Sequence, residues 1–154
     1  MKMRKVLPVM LLAATALTGC AKEVTYAEFH EKAAAAEKDS YATAVLKFKG
    51  TTRSDGATTE LNKSIEYTKT ALLGWQVKEG QDASIVYTTI GAIVLSTKAS
   101  SVSEEDSYKY YLNGSEFKVT DSTRNVEFDK YGCITSYAEK GDTSDFKVTV
   151  KYSK

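Results

Sequence analysis

Apolar residues recur along this chain with two different periods, and the switches between them mark its elements. Tyr26, Phe29, Ala33 and Ala36 fall at helical spacing. Thr25 and Glu28 form a capping-box pattern ahead of them, with Val24 and Phe29 placed for a hydrophobic staple. The pattern predicts a helix that ends near Lys38-Asp39-Ser40. The period then drops to two. Ala44, Leu46 and Phe48 alternate with Val45, Lys47 and Lys49, which predicts a strand. Ser54-Asp55-Gly56-Ala57 is a hairpin turn signal. Leu61, Ile65 and Tyr67 continue on a return strand that runs toward Leu72, and residues 74–79 read as a third, short strand.

Residues 82–98 carry conflicting signals. Ile85, Val86, Thr89, Ile90, Ile93, Val94 and Thr97 repeat every four residues, as on one face of a helix. Their β-branched side chains favour a strand. The length of the run and Asp82 as an N-cap decide for a helix. Tyr87, Ala92 and Leu95 make its other side apolar too, so this helix is expected to be buried on most sides. The last third reads as β throughout. Strands at 108–111 and 116–120 flank Asn113-Gly114, strands at 124–128 and 133–137 flank Asp129-Lys130-Tyr131-Gly132, and residues 146–152 alternate cleanly. The expected order is α-β-β-β-α-β-β-β-β-β. Mostly consecutive hairpins imply an antiparallel sheet with both helices on one face, an α+β fold.

The N-terminus has a different character. Met1-Lys2-Met3-Arg4-Lys5 is basic, and Val6 to Leu17 is apolar. A secretory signal has a basic start and an apolar run of roughly 7–15 residues. A spanning helix needs about 20 apolar residues, so this run is too short. Its end, Leu17-Thr18-Gly19-Cys20, resembles a bacterial lipobox. The resemblance implies diacylglycerol on the Cys20 sulfur and cleavage just before it. Two acyl chains give stable anchoring where one is marginal. The expected organisation is a signal peptide over 1–19, a tether over 20–23 with lipidated Cys20, and a single domain over 24–154. With Ala21 rather than Asp after the cysteine, the resemblance allows either the cell membrane or an outer membrane, with the domain extracytoplasmic. So short a tether keeps the domain close to the bilayer.

Composition narrows the function. The whole chain carries a formal net charge of +1. Residues 1–19 hold three basic residues and no acids, so the remainder sits at about −2. Without a dominant basic patch, nucleic acid is not an expected partner. Cys133 has no disulfide partner once Cys20 carries lipid, and it reads as a small buried hydrophobe. His30 is the only histidine, and nothing in the sequence sets a nucleophile or an orienting partner beside it. It reads as a surface or boundary residue. One histidine and one spare cysteine make a zinc site improbable. Glu104-Glu105-Asp106 reads as a solvated loop. Gly74, Gly80 and Gly91 are too scattered for a phosphate-binding or dinucleotide motif, so no cofactor and no enzymatic activity are expected.

The stretch Val126-Glu127-Phe128-Asp129-Lys130-Tyr131-Gly132-Cys133-Ile134 resembles a hairpin of LolA-like periplasmic carriers and of LppX/LprG-type lipoproteins. That resemblance implies a strongly curved, half-barrel-like sheet whose concave face is plugged by helices, with acyl chains held between. Periodicity then nominates Phe48, Ile65, Trp75, Ile90, Ile93 and Val94 as pocket liners. The expected function is a non-enzymatic, membrane-anchored binding or carrier protein for an apolar ligand or a membrane partner. The alternative is a structural or interaction lipoprotein of the envelope, of adhesin or inhibitor type, whose partner is another envelope protein and which has no ligand pocket.

Overall fold

The computed structural model describes residues 21–38, 40–81 and 83–154. Nine strands form a single open sheet in the order β1-β5-β6-β7-β8-β9-β2-β3-β4, antiparallel at every pairing. The strands are β1 (Lys22–Val24), β2 (Thr43–Ser54), β3 (Ala57–Thr70), β4 (Gly74–Val77), β5 (Lys109–Asn113), β6 (Glu116–Thr120), β7 (Arg124–Phe128), β8 (Ile134–Lys140) and β9 (Ser144–Ser153). Two helices, α1 (Tyr26–Ala36) and α2 (Ile85–Ser96), lie on one face, and a 3-10 turn at Ala99–Ser101 follows α2. The fold is the expected α+β arrangement.

Local chemistry explains most of the boundaries. Thr25 Oγ1 accepts the Glu28 N–H at 3.2 Å and starts α1. The helix ends at Ala36, a turn earlier than the sequence pattern suggested. Asp55-Gly56 closes the β2–β3 hairpin with both residues at positive φ, a type I′ pattern. The β5–β6 hairpin is displaced by one residue from the Asn-Gly signal. Asn113 pairs with Glu116, so the turn is Gly114-Ser115, and Gly114 alone supplies the positive φ of a type II′ turn.

Two expectations need correction. Lys22 and Glu23, read as tether, belong to β1 and pair with Leu112 and Tyr111. Val24, at the staple position before the N-cap, also ends that strand opposite Tyr110 and is half-buried against the core. Helix α2 is not buried on most sides. Its core face is Tyr87, Gly91, Val94 and Leu95, while Ile85 is 82% exposed and Ile93 51% exposed. The four-residue repeat therefore splits: Val86, Ile90 and Val94 pack on the core, while Ile85, Thr89 and Ile93 face solvent. Cys20 and Asp82 lie outside the described residues; the N-cap position of α2 is held by Ser84.

The core lies between the helices and the inner face of the sheet. Leu46, Phe48, Ile65 and Val148 are essentially inaccessible near the middle of the sheet, where the Tyr87 ring meets Phe48 edge-on at 5.0 Å. Phe29 of α1 packs on Tyr110 and Phe117. Each such side chain contributes about 1.5–3 kcal/mol by leaving water. The first hairpin is thus welded to the C-terminal strand β9, which pairs with β2 from Thr43 to Thr52. Gly50 lies within that pairing at φ +122, where a Cβ would stand 2.2 Å from the Asp145 carbonyl oxygen. No L side chain fits there without the strands separating.

Candidate functional site

Helix α2 crosses the inner face of the sheet, and a cleft opens on each flank. The groove on the β4 side has a volume of about 500 Å³ and is walled by Leu73, Trp75 and Val77 opposite Thr88, Ala92 and Ser96. It exists because of side-chain length. Thr88, Ala92 and Ser96 recur every four residues, so the helix turns only short side chains toward β4. Tyr67 and Leu95 form its floor.

Tyr67 is the unusual member of this groove. It is only 4% exposed, and its hydroxyl has no hydrogen-bond partner. Burial alone pushes its pKa up. The hydroxyl sits against Gly91 of α2, where a Cβ would approach it to 2.2 Å. Gly91 is therefore the notch that admits the phenol. A buried, unpaired hydroxyl costs about 1–3 kcal/mol, an unusual penalty for a protein to retain.

The cleft on the other flank is smaller, about 240 Å³. Ile93, Val102, Val119, Val126, Phe128 and Ile134 supply its apolar wall. Polar groups gather on one side. Arg124 donates to Asp121 through Nε and Nη2, at 3.1 and 2.9 Å, and lies over the Tyr108 ring. Burial works against the charge on Asp121, but the N–H groups of Thr123 and Arg124 and the guanidinium outweigh it and lower its pKa. Burial opposes the charge on Arg124 as well, yet Asp121 raises its pKa on balance. Tyr137 donates to Glu139 at 2.5 Å. Burial and then Glu139 push its pKa up to about 12. Asp121 is paired with Arg124 and Tyr137 with Glu139, so these groups form a fixed polar rim.

The residues nominated from periodicity divide between these surroundings. Trp75 lines the larger groove and Ile93 the smaller cleft. Phe48, Ile65 and Val94 are sealed in the core beneath α2, and Ile90 is half-buried against it. Periodicity found the apolar face of the sheet but could not separate core from cleft. It also missed Tyr67, Ala92 and Leu95. The available signal was the small-residue spacing Thr88-Ala92-Ser96 set against the only tryptophan.

His30 is exposed and stacks on Tyr26 at 5.5 Å. Cys133 is buried at the end of the β7–β8 turn, and Lys98 Nζ donates to its sulfur at 3.2 Å. Burial pushes the Cys133 thiol up, although Lys98 pulls the other way. The acidic loop at 104–106 is exposed and anchored by the Tyr110 hydroxyl, which accepts the Glu105 N–H and donates to the Ser103 carbonyl. Tyr108, Tyr110 and Tyr111, close together in the sequence, divide between the two faces: Tyr108 and Tyr110 face the helices, and Tyr111 faces outward beneath Lys118. Among the described residues, no group of three or more His, Cys, Asp and Glu could hold a metal ion.

No protein family, no curated protein and no solved structure matches this chain. Among the described residues, no helix is long and apolar enough to cross a membrane.

Proposed function

We propose that this protein is a non-enzymatic, lipid-anchored extracytoplasmic lipoprotein that binds an apolar ligand in the groove between α2 and β4. Cys20, with diacylglycerol on its sulfur, is the anchor. The observation that carries the reading is the groove itself: about 500 Å³, walled by Trp75, Leu73 and Leu95, with the unpaired Tyr67 hydroxyl beneath it. That volume is within the range of small-molecule sites, and an apolar wall with a few polar groups, here Gln76, Thr88 and Ser96, is their usual composition. It suits part of an acyl chain or a compact apolar molecule. The titratable groups of the smaller cleft are committed to each other, which favours binding over catalysis.

The full chain, purified from its own membranes and extracted with organic solvent, is expected to yield an acyl-bearing or similarly apolar molecule by mass spectrometry. Ala92→Phe, at an exposed helix position facing Trp75, is expected to abolish the yield without changing the circular dichroism spectrum. If the wild-type protein carries nothing extractable, the ligand reading fails.

A second reading rests on the outer face of the sheet. Lys49 and Lys147 stand directly opposite each other across β2 and β9, with Lys47 and Lys151 nearby on the same face. Like charges in register are destabilising. Their retention supports a contact surface for an anionic envelope partner, the role of an interaction lipoprotein.

A further inference from the structure

Among the described residues, two of the most exposed aliphatic side chains are neighbours. Leu72 is 94% exposed and Leu73 is 72% exposed, and both lie in the turn between β3 and β4. The turn is built rather than loose. Thr70 Oγ1 accepts the Leu73 N–H at 3.0 Å and donates to the Gly74 carbonyl at 3.3 Å. Gln76 Nε2 donates to the Leu73 carbonyl at 3.1 Å. Leu73 therefore has both backbone polar groups satisfied by the protein while its side chain faces out. An apolar medium makes that demand of a backbone, and water does not.

Strand directions show where this tip lies. Lys22 opens β1 opposite Leu112, beside the 113–116 hairpin. Followed across the sheet, that end also carries the 129–133 turn, Ser153, Thr43 and the 70–74 turn. The leucine tip thus shares an end of the sheet with Ala21 and the start of β1. The same end is aromatic and basic: Lys38 and Lys130 both lie over the Tyr131 ring, and Lys69 lies over Trp75. Tryptophan, tyrosine and lysine around exposed leucines are the residues that settle at a bilayer interface. Leu73 and Gly74 also form one wall of the larger groove, so the groove opens beside the tip.

The geometry points to the β3–β4 tip as a membrane-inserting element: Leu72 and Leu73 enter the lipid surface at the end of the sheet where the chain is anchored. The inference rests on the lipid anchoring proposed for Cys20. It does not require that the groove be occupied. A ligand entering the groove from the bilayer would pass between Leu73 and α2.

Trp75 is the only tryptophan, which permits a clean test. In the full chain carrying Trp75→Phe, a single reporter is placed at the tip (Leu72→Trp) or at the opposite end (Ala57→Trp). Each variant is reconstituted into vesicles of phosphatidylcholine and phosphatidylglycerol with brominated acyl chains. The tip reporter is expected to shift to shorter wavelength and lose most of its emission, while the reporter at 57 stays in water. Leu73→Asp is expected to reverse the shift at 72 while the protein still sediments with the vesicles. If the protein sediments but the reporter at 72 stays unquenched, the tip does not insert, and the anchor stands. If the reporter at 57 is quenched instead, the domain docks by its other end and the inference is overturned. If the full chain does not sediment at all, the anchoring and the inference fall together.

Discussion

At the scale of single residues, the Tyr67–Gly91 contact is the most informative in the molecule. The phenol oxygen lies where a Cβ on Gly91 would have to be, and the buried ring has no room to withdraw. Gly91→Ala is therefore expected to destabilise the fold by about 1–3 kcal/mol through overpacking, despite alanine's better helix propensity. Tyr67→Phe removes a hydroxyl that bonds to nothing, so it is expected to be neutral or slightly stabilising. Introduced together, the two changes are expected to cost less than Gly91→Ala alone, because the closest clashing atom is gone. Urea unfolding of the four proteins in a double-mutant cycle measures that coupling. Independent additivity would show that the contact is not the source of the cost.

At the scale of elements, the outer face of β2 and β9 makes a similar argument with charge. Replacing Lys147 with Glu turns a like-charge pair opposite Lys49 into an opposite-charge pair. A gain of about 0.2–1 kcal/mol is expected from a cross-strand pair of this kind. The gain should shrink as salt is added, because both side chains are exposed. Thermal melts at low and high ionic strength check both points. Helix α2 shows how far sequence reasoning reached. Its existence was legible from length and a four-residue repeat, but its orientation was not. The repeat Ile85-Thr89-Ile93 is as apolar as the true core face, and hydrophobicity alone does not choose between two apolar faces. The choice is made by fit: Tyr87 meets Phe48 and closes the open edge of β3 by accepting the Asn62 N–H, and Gly91 clears Tyr67. Strand β1 was hidden for a related reason. Lys-Glu-Val carries no strand pattern of its own, and only β5 on the far side of the sequence makes it one.

At the scale of the whole molecule, the sheet class and most hairpins followed from alternation and turn chemistry, because those signals are local. Strand order did not. The pairing of β2 with β9 joins residues about a hundred positions apart, and nothing local announces it. The clefts were equally invisible, since they depend on which side chains across an interface fall short. The distribution of tyrosines also gives the whole fold a pH signature. Tyr41, Tyr67, Tyr110, Tyr137 and Tyr152 all have raised pKa values, with burial as the first cause in each. Tyr41 adds a bond to Asp129, and Tyr152 donates to the Ile134 carbonyl. A raised phenol stays neutral in the folded protein after the unfolded chain has ionised. Its contribution is complete below about pH 10, the unfolded phenol value, and is lost as pH rises through the folded value. Stability is therefore expected to fall from about pH 10 upward. The absorbance of these five phenolates should appear in a step that coincides with loss of circular dichroism. Smooth ionisation of all ten tyrosines before unfolding would contradict it.

The position of β9 has a consequence for how the protein is made. The last strand of the chain lies near the middle of the sheet, between the β2–β3 hairpin and the β5–β8 meander. Until it emerges, a growing polypeptide holds two partial sheets, each with a raw edge and an exposed apolar face. Neither can seal against the other, because the seam between them follows both in the sequence. Completion then comes in one event, when Phe146, Val148 and Val150 slot beside Phe48 and Leu46. A truncated product that lacks Ser144–Ser153 has no keystone between its two partial sheets, and it is expected to be degraded faster than the full chain in a pulse-chase measurement.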